Sequence, residues 1–268
     1  EAAKRFRDRT LSPVELLDAL ILRYEGNNKA INPFADCYFD EARTKAKKSE
    51  TLFRKFDSEL GVLEGIPLAV KDMCELAGKR TTGGALVYKD NICNDTDPNI
   101  QRLIDAGANI FARTTAPEFG WLFTTQSRMW GVTHNPWKLE ISPGGSSGGS
   151  AAALAAGMTT LATGSDTTGS IRQPASQCGV VGYQAPYGRI PMLGSGSFNG
   201  YHHPGPMTRT VTDCALMANV MSGPDPRDHN SIPDKMFIPT DNCNVFGMKI
   251  AVSIDLGHYE VSDDVRRE

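Results

Sequence analysis

The run Gly144-Gly145-Ser146-Ser147-Gly148-Gly149-Ser150 constrains this chain more than any other stretch. Four glycines and three hydroxyls ahead of an alanine-rich segment make a loop of free N–H groups at the mouth of a helix, a place suited to negative charge. The uncharged stretch 141–165 is broken by its glycines and serines, and only 151–162 is continuously apolar or small, which is too short to span a membrane. Three readings of the loop compete. A phosphate-binding P-loop has the right frame from Gly144 to Gly149, but Ser150 stands where that motif needs lysine. A nucleophile elbow matches formally as Gly145-x-Ser147-x-Gly149, although Ile141-Ser142-Pro143 before it is no strand. The third reading is a plain glycine loop before a helix.

The surrounding pattern is α/β. Ser12 as N-cap, Pro13 at the first helical position and Glu15 form a capping box, with Leu11 and Leu16 spaced as a hydrophobic staple. Leu16, Leu17, Leu20, Ile21 and Tyr24 then share one face of a helix, and Gly26 is the expected stop. A second helix is predicted over Asp40 to Lys48. Ile66 to Val70 reads as a buried strand, Asp97-Pro98 opens a helix bearing Ile100, Leu103 and Ile104, and Ala108 to Arg113 is the next strand. Strand, helix and strand at this spacing indicate a parallel crossover. The alternation continues with a helix from Ser150 to Ala156, a strand near Thr159 to Thr163, a helix after Ser170 and a strand from Val180 to Tyr183. Lys249 to Ser253 is predicted as a further strand, and Ser262 as the cap of a short helix.

The fold class that follows is α/β: a twisted mixed β-sheet flanked by α-helices. Residues 1–60 are expected to form a helical N-terminal layer and 61–268 the α/β core of a single domain. The N-terminal Glu1-Ala2-Ala3-Lys4-Arg5 has no basic-then-apolar signal pattern, and both ends read as cut from something longer. With 28 basic against 31 acidic side chains the net charge is −3, which excludes binding of nucleic acid through bulk positive charge. The six cysteines, at positions 37, 74, 93, 178, 214 and 243, show no Cys-x-x-Cys and no paired histidine motif, so free thiols in a cytoplasmic protein are expected and no metal site is.

A second turn, Ser165-Asp166-Thr167-Thr168-Gly169-Ser170-Ile171-Arg172-Gln173-Pro174-Ala175, follows the glycine loop at the end of a strand. Taken together, residues 142–189 resemble the signature of the amidase signature family of serine hydrolases. They carry its Gly-Gly-Ser-Ser-Gly-Gly-Ser loop, its Asp-Thr-x-Gly-Ser-Ile-Arg turn, its Pro-Ala-Ser-x-Cys-Gly segment and its Tyr-Gly-Arg end. The likeness extends to Gly65-Ile66-Pro67-Leu68-Ala69-Val70-Lys71-Asp72, to Asn135-Pro136-Trp137 and to Gly205-Pro206-Met207-Thr208-Arg209.

The resemblance implies an amidase that cleaves a carboxylic amide through an acyl-serine. Ser170 would be the nucleophile, Ser146 a bridging serine after a cis peptide and Lys71 the base. Elementary chemistry agrees, because a serine hydroxyl needs a neighbouring base and a buried lysine can become one. The turn Thr167-Thr168-Gly169-Ser170 would supply backbone N–H groups as an oxyanion hole. The family turn usually has glycine where Thr168 stands, a departure that would matter if the position required positive φ. Asp166 and Arg172 are read as holding the turn. Cys178 is read as buried rather than nucleophilic, and the pair His202-His203 as loop facing substrate. Trp121, Met129, Trp130 and Ser147 are the candidate substrate-pocket residues. No cofactor is implied, the expected partner is a small-molecule amide, with no nucleic acid and no membrane, and a homodimer is the candidate assembly. Two rival readings remain: the glutaminase subunit of a glutamyl-tRNA amidotransferase, and a non-catalytic nucleotide-binding module built on the Gly/Ser loop.

Overall fold

The capping box at Ser12 forms as the sequence predicts. The Ser12 hydroxyl accepts the Glu15 N–H at 3.1 Å, and the Glu15 carboxylate accepts the Ser12 N–H at 2.8 Å. The protein is described by a computed structural model over residues 1–55, 59–194, 200–240 and 244–267. Helix α1 spans Ala2–Arg7 and α2 Pro13–Ile31. Helix α2 does not stop at Gly26 but runs to Asn32, whose left-handed φ of 52° caps it. One interior glycine costs only ~1 kcal/mol, and burial of Ile31 at the far end outweighs it.

The N-terminal layer is not purely helical. Strand β1 (Phe34–Cys37) leaves it to pair antiparallel with β3 (Asn109–Thr114), because Phe34 packs edge-on against Phe111 with ring centres 5.6 Å apart. Helix α3 covers Phe39–Arg54, six residues beyond the expected end. Then follow β2 (Pro67–Lys71), α4 (Pro98–Asp105) and β3, and β2 and β3 are parallel, as the crossover requires. A two-stranded ribbon, β4 (Gln126–Ser127) with β5 (Gly131–Val132), precedes α5 (Gly148–Ala155), β6 (Leu161–Asp166) and α6 (Arg172–Cys178). The chain continues through β7 (Val181–Gly182), β8 (His203–Thr208), α7 (Val211–Met221) and α8 (Asp263–Arg267).

The six-stranded sheet has the order β1-β3-β2-β6-β8-β7, with β2 parallel to both β3 and β6, and the other pairs antiparallel. Strand β2 lies near its centre and is buried along its whole length. Alternation sends Leu68 and Val70 into a core with Ile100, Leu103, Met217 and Met221, while Ala69 joins Phe111 and the helices α2, α3 and α5 on the opposite face. Helices therefore cover both faces, and the C-terminal ends of the parallel strands β2 and β6 open side by side. Residues Lys249 to Ser253 form no strand. They find no strand partner among the described residues, and Ile250 and Val252 are exposed, so their β propensity has nothing to act on. No described helix is long and apolar enough to cross a membrane.

Candidate active site

Lys71 is the last residue of β2 and is fully buried. Its backbone N–H donates to Thr163 Oγ1 on the neighbouring strand β6 at 2.9 Å, which fixes the strand end. Its Nζ donates to Ser146 Oγ at 2.7 Å and to Ser165 Oγ at 3.0 Å. Burial pushes Lys71 down from the ordinary 10.5 to about 7, against a smaller opposing pull from Cys74 and Asp166. Asp72, next in sequence, points elsewhere. It accepts from the Thr82 N–H at 2.9 Å, from Trp130 Nε1 at 3.0 Å and from Arg113 at 3.4 Å, so it anchors the segment after β2.

Ser146 sits in the glycine loop before α5, and the Gly145–Ser146 peptide is cis. The loop is pinned on several sides: Thr125 Oγ1 donates to the Gly144 carbonyl at 2.7 Å, and the Gly145 N–H donates to Gln173 Oε1 at 3.1 Å. Gly144 has φ of 87°, and a Cβ at Gly145 would run into the Leu122 carbonyl, so both glycines answer to real constraints.

Ser170 lies at the mouth of α6, after a turn organised around Asp166. That carboxylate accepts from the N–H groups of Gly169 (2.7 Å), Ile171 (3.0 Å) and Arg172 (3.2 Å), and from the Arg172 guanidinium at 3.0 and 3.1 Å. Burial pulls Asp166 upward, but the guanidinium and the three N–H donors outweigh it and hold the carboxyl at about 2. The reading of Asp166 and Arg172 as the pair that holds the turn agrees with this geometry. Thr168 does not have positive φ; that demand falls on Gly169 at 120°, so the departure from glycine carries no backbone strain. The Gly169 N–H is committed to Asp166, which removes it from the four expected oxyanion donors. The glycine loop and this turn are joined directly, since the Ser147 N–H donates to the Ser170 carbonyl at 3.1 Å.

Ser146 and Ser170 share the wall of one cavity of about 370 Å³. No hydrogen bond joins the two hydroxyls, so the second contact of the expected relay is not made here, while the Lys71–Ser146 contact is. Trp121 lines the cavity with Phe119, Leu122, Phe123 and Met73. The other three candidate pocket residues do not. Trp130 is held against Asp72 and Thr82, Ser147 is fully buried beneath the loop with its hydroxyl on the Ser165 carbonyl, and Met129 is not part of the lining.

Sequence reasoning did not assign Ser165 or Thr163, although their alternate positions on β6 place both on one face beside Lys71. His202 does reach the cavity: its Nδ1 and Thr167 Oγ1 are 3.0 Å apart, and burial, reinforced by Lys71, pushes it down to about 4, so the imidazole is neutral. Cys178 is buried, and burial pushes its thiol up to about 12, which leaves it inert.

A family model described as Amidase matches residues 15–268, and the chain belongs to the amidase signature family, whose enzymes hydrolyse carbon–nitrogen bonds. It is similar to an acylamidase of Rhodococcus erythropolis, 38% identical over 99% of this chain and 56% of that protein. It is also similar to a glutamyl-tRNA(Gln) amidotransferase subunit of Brachyspira hyodysenteriae, 38% identical over 93% of this chain and 53% of the relative. Among solved structures, a bacterial aryl acylamidase of the amidase signature family superposes with a TM-score of 0.82 at 32% identity, over 87% of this chain and 49% of that one. The chain thus spans about half the length of the relatives it matches.

Proposed function

We propose that this protein hydrolyses carboxylic amides through an acyl-serine at Ser170, with Ser146 and Lys71 as the proton relay. The observation that carries the reading is the 2.7 Å contact between Ser146 Oγ and a fully buried Lys71 whose pKa is brought to about 7. A lysine neutral near pH 7 can accept a proton, and a hydroxyl can pass one on. Ser170 Oγ attacks the amide carbon and gives its proton to Ser146 Oγ as Ser146 gives its own to Lys71. This step needs the two serines drawn together, as catalytic contacts tighten once substrate is bound. The oxygen of the tetrahedral intermediate faces the N–H groups of Thr167, Thr168 and Ser170, which have no protein acceptor among the described residues. The C–N bond then breaks, and the leaving nitrogen takes the proton returned through Ser146. Water attacks the ester and releases the carboxylate and Ser170.

The substrate is a small-molecule amide with an apolar or aromatic acyl group, because Phe119, Trp121, Leu122 and Phe123 form one side of the cavity. Kinship with the amidotransferase subunits favours glutaminase activity as a second reading. The aromatic side of the cavity, and the lack of an arginine among the described residues that line it to receive a glutamine α-carboxylate, favour the first. We assign residues 1–268 to one amidase domain. The five described cysteines are free thiols, which fits the cytoplasm; Cys243 lies outside the described residues. Labelling with a fluorophosphonate followed by peptide mapping tests the nucleophile. An adduct on Ser170 is expected, and one on Ser147 or Cys178 would overturn the assignment. Ammonia release from benzamide and from glutamine separates the two readings.

A further inference from the structure

Beyond His202 lies a second chamber of about 270 Å³, which shares Met73, Ser165 and His202 with the first. The chemistry of the two is opposite. In place of the aromatic wall, the second chamber presents Glu75, Asp97 and Asn99, and no lysine or arginine among the described residues lines it. Asp97 is 7% exposed, and its two carboxylate oxygens accept the N–H groups of Leu193 (2.9 Å) and Glu75 (2.8 Å). Burial, with the neighbouring Glu75 carboxylate adding to it, overcomes those donors and pushes Asp97 up to about 6. Arg113 pulls it the other way from a distance but is paired with Asp72, and no cation forms an ion pair with Asp97 among the described residues.

Asn99 supplies an independent sign. It is 1% exposed and donates its amide N–H to the Pro191 carbonyl at 2.7 Å, while its side-chain oxygen is buried without a partner. An acceptor left in that state bears its full desolvation cost until a donor arrives. Two carboxylates and an unused amide oxygen match a group that only donates, and a primary ammonium has three N–H donors and no acceptor.

The position of the chamber says which part of a substrate would reach it. Ser165 borders both cavities, and its Oγ is 3.0 Å from Lys71 Nζ. In the proposed reaction the leaving nitrogen takes its proton from the Lys71–Ser146 side, so the leaving amine extends past Ser165. We infer that the second chamber binds an ammonium group carried on the leaving amine, which makes amides of diamines the substrate class this chain favours. Aromatic acyl group and cationic amine would then occupy the two cavities on either side of His202. The inference rests on the hydrolase reading given above.

The test compares N-(4-aminobutyl)benzamide with N-pentylbenzamide, a neutral amide of equal length, on the intact protein, with released benzoate measured. The expected result is a kcat/KM about tenfold higher for the amine, mostly through KM, which is the scale of a hydrogen-bonded charge. Glu75→Gln should collapse that ratio toward one. This variant is chosen because the Glu75 side chain holds no backbone group among the described residues, and circular dichroism checks its fold. Equal hydrolysis of both amides by the wild type, or a ratio that Glu75→Gln leaves intact, overturns the ammonium site while the hydrolase reading stands. If neither amide is hydrolysed, the hydrolase reading falls for this class, and calorimetry with 1,4-diaminobutane decides the site alone. Binding weakened about tenfold by Glu75→Gln supports it, and absent binding, or binding indifferent to the variant, overturns it.

Discussion

Replacing Lys71 with methionine separates what the buried amine does for chemistry from what it does to stability. In the unfolded chain Lys71 keeps its proton up to about pH 10.5, whereas burial lets the folded protein keep it only up to about 7. Between those values the unfolded state holds more protons, so stability rises with pH across the window; below pH 7 both states are protonated and the penalty is full. At ~1.4 kcal/mol per pH unit, the window is worth about 5 kcal/mol as an upper bound. Lys71→Met keeps the length of the side chain and removes the charge, at the cost of leaving Ser146 and Ser165 without their donor, about 1–3 kcal/mol. Urea titrations from pH 6 to 10 should therefore show a wild-type stability that climbs relative to the variant as pH rises. Amide hydrolysis by the variant should fall by about 10²–10⁴-fold, and wild-type kcat/KM should rise through pH 7 and level off. Parallel stability curves for the two proteins, or a wild-type rate flat from pH 6 to 8, would refute the neutral-lysine argument.

Other expectations follow from the same geometry. Ser170→Ala should abolish fluorophosphonate labelling while leaving the fold intact by circular dichroism. Gly145→Ala should lower stability by about 1–3 kcal/mol in urea titration, because its methyl group meets the Leu122 carbonyl and the pinned loop has little room to yield. Asp166 is held below its unfolded value, so it contributes stability above pH 4 that is lost as pH falls through about 2; Asp166→Asn should lack that acid-side component in thermal melts. Thiol reagents at neutral pH should leave Cys178 unmodified in the folded protein, and mass spectrometry after quenching checks this.

Much of this arrangement was legible in the sequence because it depends on local chemistry. The capping box, the β2–α4–β3 crossover and the two Gly/Ser turns each declare themselves within a few residues. What escaped depends on partners far along the chain. Burial of Ile31 carries α2 past Gly26, and pairing with β3 draws β1 out of a layer read as helical. The stretch from Lys249 to Ser253 has the composition of a strand and, among the described residues, no neighbour to pair with. Trp130 and Met129 sit close in sequence to Trp121, yet Trp130 is turned inward by a hydrogen bond to Asp72, fifty-eight positions earlier. The loss of Gly169 from the oxyanion donors is likewise invisible until Asp166 is seen beneath the turn.

The aromatic wall is fastened to the chemical centre by its backbone and not by its side chains. The Leu122 carbonyl rests against Gly145, and the Phe123 carbonyl accepts from Gln173 at 3.3 Å, while the Trp121 side chain stands 87% exposed. Side-chain changes at Trp121, Leu122 and Phe123 can therefore reshape what the cavity accepts without touching Lys71, Ser146 or Ser170, whereas at Gly120 an added Cβ would press on Met73 and on Ser146 Oγ. Under the proposed mechanism, the side chains that would choose the substrate and those that would move the proton thus lie on separable parts of the chain.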